Sequence, residues 1–267
     1  MLTRINELRV HYDLIGDRGN PVVLLVHALM ADGSLWSSQV PAILAAGFRV
    51  LRLDLPGHGG SGARPGPCSM TDLANDAATL LDQLQIAQVH FGGISIGGMV
   101  GQALAIHHPQ RVVSLFLSDT SCAVPAAARE MWAARLNLVN EAGSLEPLAD
   151  VTMSRVLSAA FKQNNPEVWN ALRNTIVGVL PAGLAQCAQA LQDFNVVDRL
   201  PGVKAPTLLV CGDGDVATPP AESQRIVSLI PGARYTEIPN ALHYPNVEQS
   251  ARFTELMVGW LCSRKVA

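Results

Sequence analysis

The chain contains 267 residues, of which 49% are hydrophobic and 15% are charged, and its formal net charge is −3 at pH 7. This composition excludes a disordered chain and provides enough apolar side chains for one large core, with or without an insertion. The weak negative charge and the lack of a basic cluster argue against nucleic acid as a partner. No run of eighteen apolar residues could span a bilayer, and residues 1–7 lack the pattern of a signal peptide. We therefore expect a cytoplasmic protein with neither nucleic-acid nor membrane partners, while its oligomeric state, a homo-oligomer included, stays open.

The five cysteines are scattered, and none belongs to a C-x-x-C pair or to a zinc-ligand pattern. Their odd number and wide spacing indicate reduced, mostly buried thiols, as is usual for a cytoplasmic protein. The sequence also lacks a dinucleotide-binding fingerprint. We therefore expect neither a metal site nor a cofactor.

Short apolar runs alternate with helical patterns along most of the chain. Residues 8–13 alternate between apolar and polar positions, which is typical of a half-exposed strand. The run at residues 22–26 is apolar throughout, as expected for a strand covered on both faces. Further strand-like runs lie at residues 50–53, 89–92, 112–117 and 207–210, and helical patterns lie at residues 70–84, 99–106, 220–229 and 247–261. The alternation predicts an α/β fold with a mostly parallel central sheet flanked by helices.

One long segment interrupts this alternation. Residues 125–196 contain helical patterns broken by glycine and proline, without a convincing strand. Helices inserted between two strands are expected to cover the carboxyl ends of the strands, where the ligands of open α/β sheets bind. We therefore predict a helical lid, or cap, of residues 125–196, inserted in a core formed by residues 1–124 and 197–267.

The pentad at residues 93–97 reads Gly-Ile-Ser-Ile-Gly and lies between a strand pattern and a helix pattern. A bare G-x-S-x-G is a weak motif, since glycine and serine are common in turns. Its position between a buried strand and a helix is typical of a nucleophile elbow, in which a strained turn exposes a serine. Gly93 and Gly97 supply the small residues that such a turn requires. The sequence therefore predicts that Ser95 is a nucleophile.

A serine needs a base within hydrogen-bond reach and a third group that orients the base. Behind an elbow of this kind, the acid and the histidine follow the serine in chain order. His243 is the only histidine in the second half of the chain, so its position alone selects it as the base. Asp215 lies after a strand run and before two prolines, and it is our candidate acid. Asp213 and Asp119, which also follow strand runs, remain alternatives.

Acyl transfer also requires hydrogen-bond donors for the oxyanion that develops in the transition state. One donor is expected to be the backbone N–H of Ile96, directly after the serine. The second should come from the loop after the strand run at residues 22–26, where we choose the N–H of Leu29. We expect His27 to order this loop rather than to transfer protons.

These residues together resemble the α/β-hydrolase fold family over nearly the whole chain. Within that family, the sequence is similar to the 3-oxoadipate enol-lactonases. The similarity is carried by residues 98–102 after the elbow, 117–120 after the next strand, 132–135 and 188–193 in the lid, and 243–248 at the histidine. It implies a serine hydrolase that cleaves a carboxylic ester or lactone through an acyl-enzyme on Ser95.

The substrate that the resemblance implies carries a free carboxylate, which favours a cation in the pocket. Arg135 in the lid is the candidate, and Arg129 is a weaker one. A solvated helix face is an equally good interpretation of Arg135. Trp132, three residues earlier on the same helix face, is predicted either to form a wall of the substrate pocket or to belong to the core of the lid.

The sequence departs from the lactonases near the base, where Leu242 replaces a frequent glycine and Tyr244 replaces a smaller apolar residue. Ala28 likewise stands where many members of the family have glycine. Three alternatives stay open: a broad carboxylesterase on neutral esters, a carbon–carbon bond hydrolase or perhydrolase on the same triad, and a non-catalytic binding protein. The intact set of serine, acid and histidine argues against the last of these.

Overall fold

The computed structural model describes residues 1–265, and eight strands within them form a single sheet. The strands are β1 (Leu2–Ile5), β2 (Leu8–Ile15), β3 (Val22–Val26), β4 (Arg49–Leu53), β5 (Val89–Ile94), β6 (Val112–Ser118), β7 (Thr207–Gly212) and β8 (Arg234–Ile238). Their order across the sheet is β1-β2-β4-β3-β5-β6-β7-β8. β2 pairs antiparallel with β1 and β4, and the remaining pairs are parallel. The mostly parallel sheet predicted from the sequence is confirmed.

Eleven α-helices lie in the described part of the chain. They are α1 (Val40–Ala45), α2 (Met70–Gln83), α3 (Ile96–His107), α4 (Ala127–Ala142), α5 (Glu146–Val156), α6 (Ala159–Asn164), α7 (Pro166–Val177), α8 (Pro181–Gln192), α9 (Pro220–Leu229), α10 (Pro245–Glu248) and α11 (Ser250–Cys262). α2 begins with a capping box, in which Ser69 and Asp72 each accept a hydrogen bond from the other's backbone N–H. None of the helices in residues 1–265 is long and apolar enough to cross a membrane.

The central strands are buried over their whole length. Every residue of Val22–Val26, Val89–Ile94 and Thr207–Gly212 is buried. Helices pack against these strands and their neighbours, since α3 contacts β3, β5 and β6, α9 contacts β7, and α11 contacts β6. Burial on both faces produces the continuous apolar runs that made these strands predictable. The edge strands β1 and β8 lack such runs because half or more of their residues are at least partly exposed, and the sequence did not predict them.

The C-terminal helix predicted at residues 247–261 is divided in the structure into α10 and α11. The break lies at Gln249, which leaves the helical region with φ −121° and ψ 47°. The Gln249 side-chain amide donates to the Asn240 carbonyl at 3.0 Å, and the Glu248 carboxylate also binds the preceding loop. The two adjacent side chains therefore hold the chain to that loop at the point where the helix is interrupted.

Helices α4 to α8 lie between β6 and β7, and the described residues contain no strand among them. An isolated antiparallel bridge between Ala123 and Asn195 joins the two ends of this helical segment. We keep the name lid for residues 125–196, and the division of the chain into a core and a lid stays a prediction.

The lid and the core make close backbone contact at Gly57, which follows β4. The Leu180 N–H donates to the Gly57 carbonyl at 2.9 Å. A Cβ built on Gly57 would lie 2.4 Å from the Cα of Gly183 in α8, and the reverse holds for a Cβ on Gly183. Gly57 also has a positive φ of 72°. Neither position can carry a side chain without moving the lid away from the core.

All five cysteines are free thiols in the structure. Four of them are buried (Cys68, Cys122, Cys187 and Cys211), and Cys262 is exposed. Burial raises the pKa of Cys68 to about 11 and the pKa of Cys211 further still. The buried thiols therefore stay protonated, and we assign them a packing role.

Candidate active site

Ser95 occupies the turn between β5 and α3. Its backbone lies at φ 58° and ψ −120°, where residues other than glycine are rarely found because the conformation costs free energy. The Ser95 N–H donates to the Ser118 carbonyl at 3.0 Å, and the Thr120 hydroxyl donates to the Ser95 carbonyl at 2.8 Å. The end of β6 and the residues after it thus hold the serine in the strained conformation of an elbow.

Both glycines of the pentad are required for steric reasons. A Cβ built on Gly93 would lie 2.3 Å from the Gly97 carbonyl oxygen, and a Cβ on Gly97 would lie 2.2 Å from the Val26 carbonyl oxygen. Both contacts are with backbone atoms that cannot rotate away. Only glycine lets the start of α3 approach β3 and β5 closely enough to make this turn.

The structure joins Asp215 to His243. The His243 Nδ1–H donates to Asp215 Oδ2 at 2.8 Å, and both side chains are buried. Asp215 Oδ1 accepts from the backbone N–H groups of Ala217 and Thr218 at 2.7 and 3.2 Å, and the Thr218 hydroxyl donates to Oδ2 at 2.8 Å. Four hydrogen bonds therefore hold the carboxylate. The hydrogen bonds of the His243 ring in residues 1–265 all involve Nδ1, which leaves Nε2 available.

The charges of this pair favour its ionised form. Burial alone would raise the pKa of Asp215, but the neighbouring His243 and the hydrogen bonds to the carboxylate lower it. Burial alone would lower the pKa of His243, but the charge of Asp215 and its hydrogen bond raise it. A histidine in this arrangement can accept a proton that it would not hold in an apolar site without a carboxylate.

Asp119 and Asp213 occupy different environments from Asp215. Asp119, after β6, is fully buried with φ 47°. One of its carboxylate oxygens lies within 4.8 Å of a carboxylate oxygen of Asp215 and of a ring nitrogen of His243. It accepts from the Gly212 N–H at 2.9 Å. Burial and the charge of Asp215 raise the pKa of Asp119 to about 8, so it is protonated at neutral pH. Asp213 is exposed and accepts from a loop N–H. Of the three candidates, Asp215 alone is hydrogen-bonded to the histidine.

The loop after β3 places Leu29 at the cavity that Ser95 lines. Within residues 1–265, the Leu29 N–H donates to no other group. Ile96 is the first residue of α3, where a backbone N–H has no partner inside the helix. The two N–H groups chosen from the sequence therefore remain free to bind an oxyanion, and their role stays a prediction.

Two neutral histidines hold the Leu29 loop. His58 Nε2 accepts from the Met30 N–H at 3.1 Å, which fixes Met30 at φ 63°. His27 Nε2 accepts from the Leu55 N–H at 3.0 Å. Burial lowers the pKa of His58 to about 3 and also lowers that of His27. Because both rings stay neutral, each keeps an unprotonated nitrogen to accept these hydrogen bonds.

A cavity of about 240 Å³ opens beside Ser95 and His243, between the core and the lid. Its lining is largely apolar, with Met30, Met99, Val124, Trp132, Val156 and Leu191 among the residues. Trp132 and Arg135 of α4 both lie in the wall, and the Arg135 guanidinium stands 5.0 Å from the centre of the Trp132 ring. The structure thus brings both predicted substrate-binding residues to the cavity.

Arg155 of α5 is a second cation in this wall. The ion pairs of lid arginines in residues 1–265 are those of Arg129 and Arg173, so neither Arg135 nor Arg155 has a carboxylate partner. Burial and the charge of Arg155 lower the pKa of Arg135. Glu222 is the acid in the lining. Two arginines against one glutamate give the wall an excess positive charge.

The family of the chain follows from its sequence. A sequence model of the alpha/beta hydrolase fold matches residues 21–250. The chain belongs to the α/β-hydrolase family. It is therefore an enzyme of the α/β-hydrolase superfamily, with the fold that the sheet order and the elbow indicate.

This hydrolase is similar to several known proteins over nearly its whole length. The 3-oxoadipate enol-lactonase 2 of Acinetobacter baylyi is 32% identical over 247 residues, which cover 92% of this chain and 91% of that protein. The crystal structure of the enol-lactonase from Burkholderia xenovorans LB400 is 33% identical with a TM-score of 0.93, over 98% of this chain and 99% of that one. A thermophilic esterase from Thermogutta terrifontis, solved with malate bound, is 29% identical with a TM-score of 0.91, over 99% and 97% of the two chains. The chain is therefore similar to both lactonases and esterases.

The hydrolase fold also brings residues to the site that the sequence left without a role. Thr218 binds the Asp215 carboxylate, and its position three residues later is typical of a turn that an aspartate side chain stabilises. That spacing could have identified it. Arg155 reaches the cavity through the packing of α5 in the lid, and no local pattern in the sequence signals this.

Proposed function

We propose that this α/β-hydrolase cleaves a carboxylic ester or lactone through an acyl-enzyme, with Ser95 as nucleophile, His243 as base and Asp215 as the acid that orients the base. The observation that carries the proposal is the 2.8 Å hydrogen bond between Asp215 and His243 beside a cavity that Ser95 also lines. Nucleophile, base and orienting acid are the three roles that this chemistry requires.

In the proposed reaction, His243 Nε2 takes the proton of the Ser95 hydroxyl as its oxygen attacks the carbonyl carbon. Asp215 holds the proton on Nδ1, which keeps Nε2 basic, and it stabilises the imidazolium that forms. The N–H groups of Leu29 and Ile96 bind the oxyanion. His243 returns the proton to the leaving alkoxide or enolate and then activates a water molecule that releases the acyl group.

We further propose that the substrate is an enol-lactone that carries a free carboxylate. Ring opening leaves the enol attached to the acyl group, so re-closure competes with hydrolysis until water arrives. The unpaired guanidinium groups of Arg135 and Arg155 suit a carboxylate in an otherwise apolar cavity. The names of the Acinetobacter and Burkholderia relatives support this choice, and the Thermogutta relative was solved with malate, a dicarboxylate.

Ser95 is tested by labelling. A fluorophosphonate should label the wild-type enzyme covalently at Ser95 and leave Ser95→Ala unlabelled, because the reagent needs an activated serine. Peptide mass spectrometry identifies the modified residue. A wild-type protein that stays unlabelled, or a label on another residue, contradicts the proposed chemistry.

The substrate is tested by comparing Arg135→Ala with wild type on two substrates, a carboxylate-bearing enol-lactone and a neutral short-chain aryl ester. The loss of a charge-assisted hydrogen bond is expected to lower kcat/KM for the lactone about tenfold to a hundredfold. The value for the neutral ester should change by less than about twofold, since no carboxylate is present. Arg129→Ala is the matched control, because Arg129 lies on the same helix but pairs with Asp193 at the surface.

A carboxylesterase for neutral esters is the second candidate. The apolar lining favours it, as does Tyr244, whose ring stacks on His243 with centroids 5.8 Å apart and adds bulk beside the base. The same experiment decides between the two. If wild type prefers the neutral ester and Arg135→Ala leaves both activities unchanged, the enzyme is a carboxylesterase.

A further inference from the structure

Both neighbours of His243 in the chain have backbone N–H groups that donate hydrogen bonds, one to the lid and the other to a side chain that follows His243. The Tyr244 N–H donates to the carbonyl of Val156 at 3.1 Å, and Val156 is the last residue of α5. The Leu242 N–H donates to Glu248 Oε2 at 2.8 Å. The histidine is thus held from both sides along the chain.

The Glu248 carboxylate also binds the lid. Its other oxygen, Oε1, accepts from the N–H of Ser158 at 2.8 Å, and Ser158 is the N-cap of α6. One carboxylate therefore joins a backbone N–H beside His243 to a backbone N–H two residues after α5. Hydrogen bonds to an ionised acceptor are stronger than those between neutral groups, so this bridge is a firm contact.

The same stretch of the lid contributes to the cavity. Thr152, Arg155 and Val156 of α5 all lie in the cavity wall. The end of α5 therefore contacts both the space for the ligand and, through Val156 and Ser158, the loop that carries His243. A change in the position of this stretch must move the wall and the imidazole together.

We propose that Glu248 is a positioning residue for His243. By bridging Leu242 and Ser158, its carboxylate makes the lid fix the place of the imidazole relative to Ser95. This inference rests on the proposed function, in which His243 transfers the proton. A catalytic group displaced by about 1 Å can lower the rate of the chemical step about a hundredfold, so the bridge acts on kcat rather than on KM.

Ser158 offers a matched pair of variants. Its backbone, at φ −71° and ψ 158°, suits proline, and Leu157 at φ −139° and ψ 144° suits a residue that precedes proline. Ser158→Pro removes the N–H that binds Glu248, together with the hydroxyl that caps α6 by accepting from the Phe161 N–H at 3.1 Å. Ser158→Ala removes the cap alone. The difference between the two variants isolates the bridge.

Glu248→Gln provides an independent variant. An amide keeps one acceptor oxygen and presents an NH₂ group to the second N–H donor, so half of the bridge is lost at nearly constant volume. Glu255→Gln is its control, since Glu255 is an exposed acid on α11 that pairs with Arg252. Glu248→Gln tests the proposal even if Ser158→Pro does not fold.

Two readouts are needed. The first is kcat and KM for the neutral aryl ester, and the second is the downfield proton resonance of the His243 Nδ1–H hydrogen bond in the NMR spectrum. We expect Ser158→Pro to lower kcat about tenfold relative to Ser158→Ala, with KM changed by less than about twofold, and Glu248→Gln to fall between them. The downfield resonance should broaden or shift in both bridge variants and stay unchanged in both controls.

Equal kcat values and equal resonances in Ser158→Pro and Ser158→Ala would overturn the proposal, as would a Glu248→Gln that matches Glu255→Gln. A fall in melting temperature without either change would show a purely structural role and would also overturn it. If wild type hydrolyses no ester but shows the resonance, the proposed function fails, while the NMR comparison of the variants still decides whether Glu248 positions the histidine.

Discussion

The core wall and the lid wall of the cavity are built on different principles. On the core wall, two groups are held by hydrogen bonds: the Asp215 carboxylate accepts four of them, and His58 fixes the loop of Leu29. On the lid wall, Arg135 and Arg155 have no carboxylate partner within residues 1–265. Hydrogen-bonded groups keep the same geometry whichever ligand binds, whereas the unpaired guanidinium groups are free to bind an anionic group of a ligand. We therefore expect the core wall to determine the reaction and the lid wall to determine which substrate undergoes it.

The largest effect should come from the acid of the core wall. Asp215→Asn is expected to lower kcat about 10⁴-fold for every substrate, because an amide cannot hold the His243 ring in the required tautomer. Steady-state kinetics on the lactone and on the neutral ester measure this loss. A variant that loses activity on only one of them would break the division of roles between the two walls.

Asp119→Asn is the matched comparison. Since Asp119 is already neutral at pH 7, the neutral amide should change kcat less than about threefold there. The raised pKa of Asp119 also makes the stability of the fold depend on pH. Between about pH 4 and pH 8 the unfolded chain ionises this group and the folded protein does not, so its contribution to stability falls as pH rises. The melting temperature of Asp119→Asn relative to wild type should therefore rise as the pH increases from 5 to 8. A difference in melting temperature that does not change with pH would contradict the assignment.

An intermediate effect is expected at the oxyanion loop of the core wall. His58→Gln should lower kcat about tenfold on both substrates, because the loss of the His58 acceptor for Met30 loosens the neighbouring N–H of Leu29. His108→Gln is the control, since His108 is partly exposed and bonds to Asn75 outside the cavity. A loss confined to the carboxylate substrate would place His58 among the groups that select the ligand.

The smallest effect probes the lid wall through pH. Two charged groups act on His243 at neutral pH: the Asp215 carboxylate raises its pKa, and the Arg155 guanidinium lowers it, while Asp119 raises it only where Asp119 is itself ionised. Arg155→Gln should therefore raise the pKa of His243 and move the acid limb of kcat/KM for the neutral ester to higher pH, by about half a unit or less. Arg129→Gln should leave the limb in place. A downward shift would show that Arg155 does not face the base.

The core wall was the more predictable of the two because its residues follow from local rules. Gly93 and Gly97 are required where a turn brings two backbones within contact distance, and that requirement is written in five consecutive residues. His243 could be chosen because no other histidine lies after His108. Each of these inferences depended on chain order and on the geometry of parallel strands, which the apolar runs indicate directly.

The lid wall was less predictable because its contacts are tertiary. Arg135 was equally compatible with a solvated face, and only the packing of α4 on α5 and α8 shows that it lies at the cavity. Arg155 reaches the cavity only through the packing of α5, and Glu248 binds the N–H of Ser158, which is distant in the chain. The break at Gln249 has the same origin, since a contact with Asn240 ended a pattern that was helical in the sequence.

The contact between Gly57 and Gly183 indicates where an engineer should work. Each glycine occupies the space that a side chain on the other would need, so neither can be replaced by a larger residue. The contact thereby fixes the position of α8 on the core. α4, by contrast, packs mainly on other helices of the lid and faces the cavity with Trp132 and Arg135. Under the proposed function, a library of variants for new substrate specificities should vary the cavity-facing positions of α4 and keep both glycines, so that the fold is retained while the specificity changes.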